Sequence, residues 1–433
     1  MGDLLALSSR IIDSGVADVP VNRVTNELSE LADGLAIVES FSHSIALRTE
    51  AGLVCFDASG AHTGEAVVRA LRGWSTEPVS HLVYTHGHAD HVGGSVAFAL
   101  DARNGGRPLP HVVGHENLPA RLDRYELTND WNLLINARQF GAVPATMQLG
   151  IGGTGQRFLP VGTLRPDSTF ASSITLDAGG TAIELHHARG ETDDHLWAFV
   201  PDRRWLFAGD FVIWHFPNAG NPQKVQRYPS EWAAALRAMA ATGAEVLVPA
   251  HGLPIEGTAR IASVLDTTAT VLEQLVADVL AMMNAGATLD EVIHTVCVPD
   301  DTLALPFLRP FYDEPEFVVR NVWRQYGGWW DGAASRLKPS PDRDLAAAIA
   351  ELAGGAGRLS ERAADALAGG DLRLACHLAD LAAWAAPSDA SIHAVRASVY
   401  ATRARAEPSL MATGIYRAAE RESAAISETG THR

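Results

Sequence analysis

The segment Thr85-His86-Gly87-His88-Ala89-Asp90-His91 places three imidazoles and a carboxylate within seven residues, directly after the apolar run His81-Leu82-Val83-Tyr84 and directly before Gly93-Gly94. An apolar run that stops at a cluster of ligating side chains predicts a strand ending in a metal-binding loop. Imidazole nitrogens and carboxylate oxygens suit zinc or a similar divalent ion, and ligands alternating along a tight loop can face two adjacent ions. A run of solvated histidines has no reason to sit where a buried strand ends. His62, His111, His294 and His393 stand alone in the sequence and carry no such implication.

A loop of this kind needs a sheet to carry it. From about Leu35 to His251, short runs rich in β-branched residues alternate with Gly-rich turns: Leu35 to Val38, Ser44 to Leu47, Leu53 to Phe56, His111 to Val113, Ile183 to His186, Leu196 to Val200, Trp205 to Ala208 and Val246 to Pro249. Helical patterns interrupt them at Gly64 to Arg72 and at Glu231 to Ala241, the latter entered through Ser230. The mixture predicts an α/β domain. After about Ile261 the texture changes to long Ala/Leu-rich stretches, so an all-helical domain is expected to follow. Thr288-Leu289-Asp290-Glu291 reads as a capping box, and Gly369-Gly370-Asp371 ends one helix and starts the next. At 433 residues the chain exceeds what one core usually supports, and the expected division is 1–262 and 263–433. Leu359 to Ala368, Leu372 to Ala383 and Ile392 to Ala404 suit either stacked helical hairpins of the tetratricopeptide type or an ordinary bundle.

Acidic residues outnumber basic ones, 51 to 34, which argues against nucleic acid as a partner, since phosphate neutralisation needs a basic face. Three cysteines (Cys55, Cys297, Cys376) without metal-type spacing make a disulfide framework unexpected and suit a reducing compartment. Residues 1–20 mix Asp3, Arg10, Asp13 and Asp18 into their apolar positions, unlike a signal peptide, and no apolar run reaches the roughly 18 residues of a membrane span. A cytoplasmic location is expected.

Two adjacent metals need about seven protein ligands, of which the loop supplies four. The remainder are expected at later strand ends: His187-Ala188-Arg189-Gly190-Glu191-Thr192, Gly209-Asp210, and Pro249-Ala250-His251-Gly252.

In this order the pieces resemble the metallo-β-lactamase superfamily, over Leu35 to about Ile255. The resemblance implies an αββα sandwich. It also implies that His86 and His88 hold one zinc, that Asp90 and His91 hold the other, that Asp210 bridges them and that His251 serves the second. Superfamily members commonly read His-x-x-Gly-His-Thr where this chain has His187-Ala188-Arg189-Gly190-Glu191-Thr192, which puts Glu191 in the remaining ligand position, with His187 or His195 as alternatives. A glutamate there resembles the alkylsulfatase (type III sulfatase) branch. The stretches Asn321-Val322-Trp323-Arg324-Gln325-Tyr326-Gly327-Gly328-Trp329-Trp330-Asp331-Gly332 and Ala366 to Ala375 resemble that branch's helical dimerisation domain, implying a homodimer. On this resemblance, no counterpart of the C-terminal sterol-carrier-like domain of larger alkylsulfatases is expected.

The function so implied is a binuclear metal-dependent hydrolase that cleaves an ester, best an alkyl sulfate, with a metal-bridging hydroxide. Two Zn2+ per chain are expected, with manganese or iron compatible with the glutamate. Asp90 and Asp210 take the catalytic roles, and Thr85 and His187 support the ligands. The absence of a Gly-x-Ser-x-Gly elbow or a cysteine nucleophile near these strand ends agrees. Two departures bear on the substrate. The family tends to read Trp-Pro-Arg-Trp-Gly after the final histidine, where this chain has Gly252-Leu253-Pro254-Ile255, and the segment Asn132 to Arg138 has apolar residues where paired arginines are expected. Lys224, Arg227 and Arg138 are the candidates to bind an acid group in their place, with Trp214 and His215 lining the substrate. A carboxylic ester, thioester or lactone is the alternative substrate, and an iron-dependent redox enzyme on the same fold is the alternative of another class.

Overall fold

The computed structural model describes residues 3–140 and 157–429. The chain divides into two compact units. Among the described residues, one comprises 3–133 and 157–328, the other 134–140 and 329–429.

The first unit is built on two sheets. One, of seven strands, runs in the order β1 (Leu28–Ala32), β2 (Leu35–Val38), β3 (Ser44–Thr49), β4 (Gly52–Phe56), β5 (Val79–Val83), β6 (His111–His115), β7 (Ser168–Phe170). Pairing is antiparallel from β1 to β4 and parallel from β4 to β7. The other sheet, of six strands, holds β8 (Ser173–Ala178), β9 (Thr181–His187), β10 (Leu196–Val200), β11 (Trp205–Gly209), β12 (Val246–Pro249) and β13 (Ile255–Glu256), ordered from β13 back to β8.

Side chains alternate between the two faces of a strand, and the core follows that period. Ile45, Leu47, Val54, Phe56 and Val83 face the other sheet, whose Leu185, Ala198, Phe207 and Val248 share the face that meets them, and Phe56 lies 4.6 Å from the Phe207 ring. Their neighbours Ala46, Leu53, Cys55 and Leu82 turn outward onto Val67 and Leu71 of helix Gly64–Trp74, Phe98 of helix Ser95–Asn104, and Leu118 and Leu122 of helix Leu118–Leu127. Strands buried on both faces must be apolar throughout, as β2, β4, β10 and β11 are.

The 27-residue helix Thr258–Asn284 repeats Ile261, Val264, Leu265, Leu272, Leu275 and Val279 at helical spacing, and all are buried in the same core as the sandwich. Val318, Val319 and Val322 of helix Pro315–Gly327 join them. The compact unit therefore runs to Gly328, whereas the change of composition suggested a division near 262, because these helices bury their stripe against the sandwich.

The second unit is helical. Helices Asp342–Ala353, Ala356–Ala368, Leu372–Ala385, Ala390–Ala406 and Leu410–Thr429 follow in order. Buried Ala363, Ala366, Ala375, Ala379, Ala382 and Ala383 let neighbouring backbones approach closely. Asp371 caps the third of these helices by accepting from Leu374 N at 3.0 Å. Among the described residues no helix is long and apolar enough to cross a membrane.

Candidate metal centre

All seven expected ligands sit where strands or the loops after them end. His86, His88, Glu191 and Asp210 converge in one group, and Asp90, His91 and His251 in another, with ligating atoms within 4.8 Å of each other in each group. Asp210 joins the two. Its Oδ2 lies 3.7 Å from His86 Nε2, while its Oδ1 lies 3.4 Å from His91 Nε2 and 3.5 Å from His251 Nε2. Asp90 Oδ2 is 3.6 Å from His91 Nε2 and 3.5 Å from His251 Nε2, and His88 Nδ1 is 3.5 Å from Glu191 Oε1.

The donor set fits two divalent ions. His91 Nε2, Glu191 Oε2 and Asp210 Oδ1 are buried without a hydrogen bond, a costly arrangement unless something else satisfies them. The tautomers also agree with ligation. The Thr85 hydroxyl donates to Asp57 Oδ2 at 2.6 Å, so it accepts from His86 Nδ1 at 3.1 Å and leaves His86 Nε2 for the cluster. Burial disfavours the His91 imidazolium, but Asp210, Asp57 and Asp90 outweigh that and hold its pKa well above the ordinary value.

Support beneath the loop comes from residues the sequence did not single out. Asp57, at the end of β4, accepts from Thr85 N at 2.7 Å and faces His91 Nδ1 at 2.7 Å. Burial pushes its carboxyl up, against the pull of His91 and Thr85. Gly87 N donates to Asp194 Oδ2 at 2.9 Å, and Asp194 Oδ1 pairs with buried Arg121 at 2.7 Å. Glycine is required at 209, where φ is 54° and a Cβ would lie 2.7 Å from His195 Nε2.

Of the three candidates for the remaining ligand position, Glu191 is the one that joins the group around His86. His195 Nε2 is occupied by the Asp210 N–H at 3.2 Å, with its ring stacked 4.2 Å from Phe211. Burial drives its pKa down to about 3. His187 does not support a ligand side chain as expected: its Nδ1 meets the His195 carbonyl at 2.8 Å and its ring stacks 3.6 Å from His115.

Two family models match the sequence: the metallo-beta-lactamase superfamily over residues 37–251, and alkyl sulfatase dimerisation over residues 288–425. The chain joins a metallo-β-lactamase domain to an alkylsulfatase dimerisation domain. It is 26% identical over 347 residues to a linear primary-alkylsulfatase of Pseudomonas sp., covering 76% of this chain and 64% of that protein. An alkyl/aryl-sulfatase of Saccharomyces cerevisiae is 23% identical, covering 72% of this chain and 50% of that one. The chain thus spans one half to just under two thirds of these relatives. The fold matches the solved stereoselective inverting sec-alkylsulfatase Pisa1 from Pseudomonas sp. with a TM-score of 0.79 at 20% identity, covering 94% of this chain and 66% of that one.

Around the metallo-β-lactamase centre, the expected substrate contacts separate. Trp214 is 1% exposed, its indole N–H donates to the Leu253 carbonyl at 2.7 Å, and its ring fills the space under Gly252. It is a wedge beneath the His251 loop, not a substrate wall. Arg227 is buried against Glu191 at 2.5 Å instead of facing an open cleft. Arg138 falls in the second compact unit, where Gly414 leaves room for its carbonyl, since a Cβ there would come within 3.0 Å. Lys224 stays near the centre. Burial, then Arg227, draws its pKa down to about 7, against the pull of Asp90 and Glu191. His215 also borders the centre, its ring 5.1 Å from Phe311, with burial and His251 lowering its pKa to about 4. Tyr312 joins from far along the chain. Burial and the charge of Glu191 hold its hydroxyl well above the usual range. The loop that carries it is fixed by Asp313, which accepts from Gly220 N at 2.6 Å and Asn221 N at 3.1 Å.

Proposed function

We propose that this chain is a binuclear metal-dependent hydrolase that cleaves an ester, with alkyl sulfates as the favoured substrate class. The observation that carries the reading is Asp210, whose two carboxylate oxygens face two separate groups of ligands. His86, His88, Glu191 and Asp210 would hold one ion, and Asp90, His91, His251 and Asp210 the other. Zinc, two per chain, suits these donors. Bound there, such ions supply a water ionisable near neutral pH and polarise the substrate oxygen.

The protein's own groups do the rest. Asp210 and Asp90 orient the attacking water, and Asp57 fixes the ring of His91. Lys224, charged below about pH 7, supplies a cation for an acid group. Alkyl sulfates are favoured because the matched relatives are named as alkylsulfatases. Dimerisation through the helical domain and a cytoplasmic setting, with all three cysteines free, complete the proposal.

One observation favours a carboxylic ester, thioester or lactone instead. The guanidinium nearest the centre, that of Arg227, is committed to Glu191 and not available as a fork for sulfate. Elemental analysis of the purified chain, with a medium-chain alkyl sulfate and a matched carboxylic ester assayed on the same sample, separates the readings. Two zinc per chain with sulfate release, abolished by a chelator and restored by zinc, is the expected result. Ester cleavage alone discards the sulfatase, and bound iron without hydrolysis discards the hydrolase.

A further inference from the structure

The polar contacts of Glu191 converge on one carboxylate oxygen, Oε1, which also lies 3.5 Å from His88 Nδ1. Oε1 lies 2.5 Å from Arg227 Nη1 and accepts from Asn218 Nδ2, whereas Oε2 is buried with no hydrogen bond. The Arg227 side chain is 2% exposed and that of Glu191 4%. A guanidinium so enclosed is held only if a fixed anion faces it. The Arg227 backbone is clamped as well, its carbonyl accepting from Asn321 Nδ2 at 2.9 Å, so the cation is placed before any ion arrives.

Charge supplies the reason. A glutamate in a position where an imidazole would serve adds one negative charge to the ligand set, and a buried arginine 2.5 Å from its carboxylate offsets it. We infer that Arg227 is a positioning residue of the metal centre: a fixed countercharge that gives the glutamate-bearing site the net charge of a histidine-bearing one. This rests on the metal-centre reading proposed above, and its test reads metal content, not turnover.

The full chain and three variants are to be loaded with zinc, dialysed and analysed for zinc per chain, with affinity measured against a chromophoric chelator. Glu191→His strands Arg227 beside the ions, and is expected to fall from about two zinc to about one, with affinity at the lost site down roughly 10- to 100-fold. Adding Arg227→Met to it is expected to restore the second zinc. Arg227→Lys, which keeps the charge, is expected to retain two. The inference is overturned if Glu191→His holds two zinc at native affinity, or if the double variant, with native circular dichroism, stays at one. Should Glu191→His be too unstable to purify, recovery of soluble chain on adding Arg227→Met is the same rescue, and failure to recover it refutes the countercharge. Rescue without hydrolysis of any ester would retire the hydrolase and leave this inference standing, and hydrolysis without rescue would do the reverse.

Discussion

His91 Nδ1 lies 2.7 Å from Oδ2 of Asp57, whose carboxylate also takes the backbone N–H and the hydroxyl of Thr85. One buried anion therefore fixes the tautomer of a ligand and the start of the loop that carries three more. Partners of this kind orient a ligand and raise its basicity. Asp57→Ala is expected to weaken zinc binding roughly 10- to 100-fold in a chelator competition titration. Unchanged affinity would show that the loop holds its shape without this carboxylate.

A second buried pair supports the loop from the other side. Arg121 and Asp194 are 2% and 0% exposed, 2.7 Å apart, and Asp194 also binds Gly87 N. Removing one partner of a buried pair leaves the other uncompensated, at a cost of about 3–5 kcal/mol. Arg121→Met is expected to lose stability on that scale in urea unfolding of the metal-free chain. Gly87→Ala tests the same packing by size, because its Cβ would come within 2.7 Å of Arg121 Cδ and 2.9 Å of Asp194 Oδ2.

Sequence alone located the ligand-bearing segments because each follows a short apolar strand, and ligating residue types after such a strand are visible locally. It could not locate Asp57, Arg121, Asp194 or Tyr312, whose relevance arises from contacts between residues far apart in the chain. Arg227 was legible as a charge near the centre, but not as the partner of Glu191, since direction depends on the clamp from Asn321. Strand β8 alternates but is largely solvent-facing, so its apolar signal is weak. The better cue was the Gly179-Gly180 pair, both at positive φ, which turns β8 into β9. The helices between Thr258 and Gly327 share the composition of the second unit, and only their burial against the sandwich shows which unit they complete.

Acid is expected to destabilise the metal-free chain through His43 and His215. Burial lowers both pKa values from 6.5, to about 3 and about 4. As pH falls below 6.5 the unfolded chain takes up protons that the folded chain refuses, so stability is full above 6.5 and declines towards pH 4. Each ring contributes a slope of about 1.4 kcal/mol per pH unit inside that window, about 3 for the pair. Urea unfolding in the presence of a chelator at a series of pH values measures the slope. His215→Phe is expected to make it shallower by its own share, and an unaltered slope would mean that His215 titrates normally in the folded chain.

Asn22 determines which nitrogen of His215 faces away from it. Its Nδ2 donates to the Ile213 carbonyl at 3.3 Å, which fixes the orientation of the amide, and its other hydrogen points to His215 Nε2 at 2.5 Å. His215 Nε2 is therefore the acceptor, and the ring proton resides on Nδ1, for which the described residues offer no partner. A neutral donor beside His251 is suited to an ester oxygen. Asn22→Ala frees the ring to adopt either tautomer, and is expected to lower kcat/KM for the favoured ester roughly 3- to 10-fold, the worth of one neutral hydrogen bond, with the effect mainly in KM. Zinc content should stay at the native value, since neither residue is in the ligand set. His215→Phe should lower kcat/KM to the same extent, and Asn22→Ala added to it should do no further harm. Additive losses in the double variant would show that Asn22 acts elsewhere and not through His215.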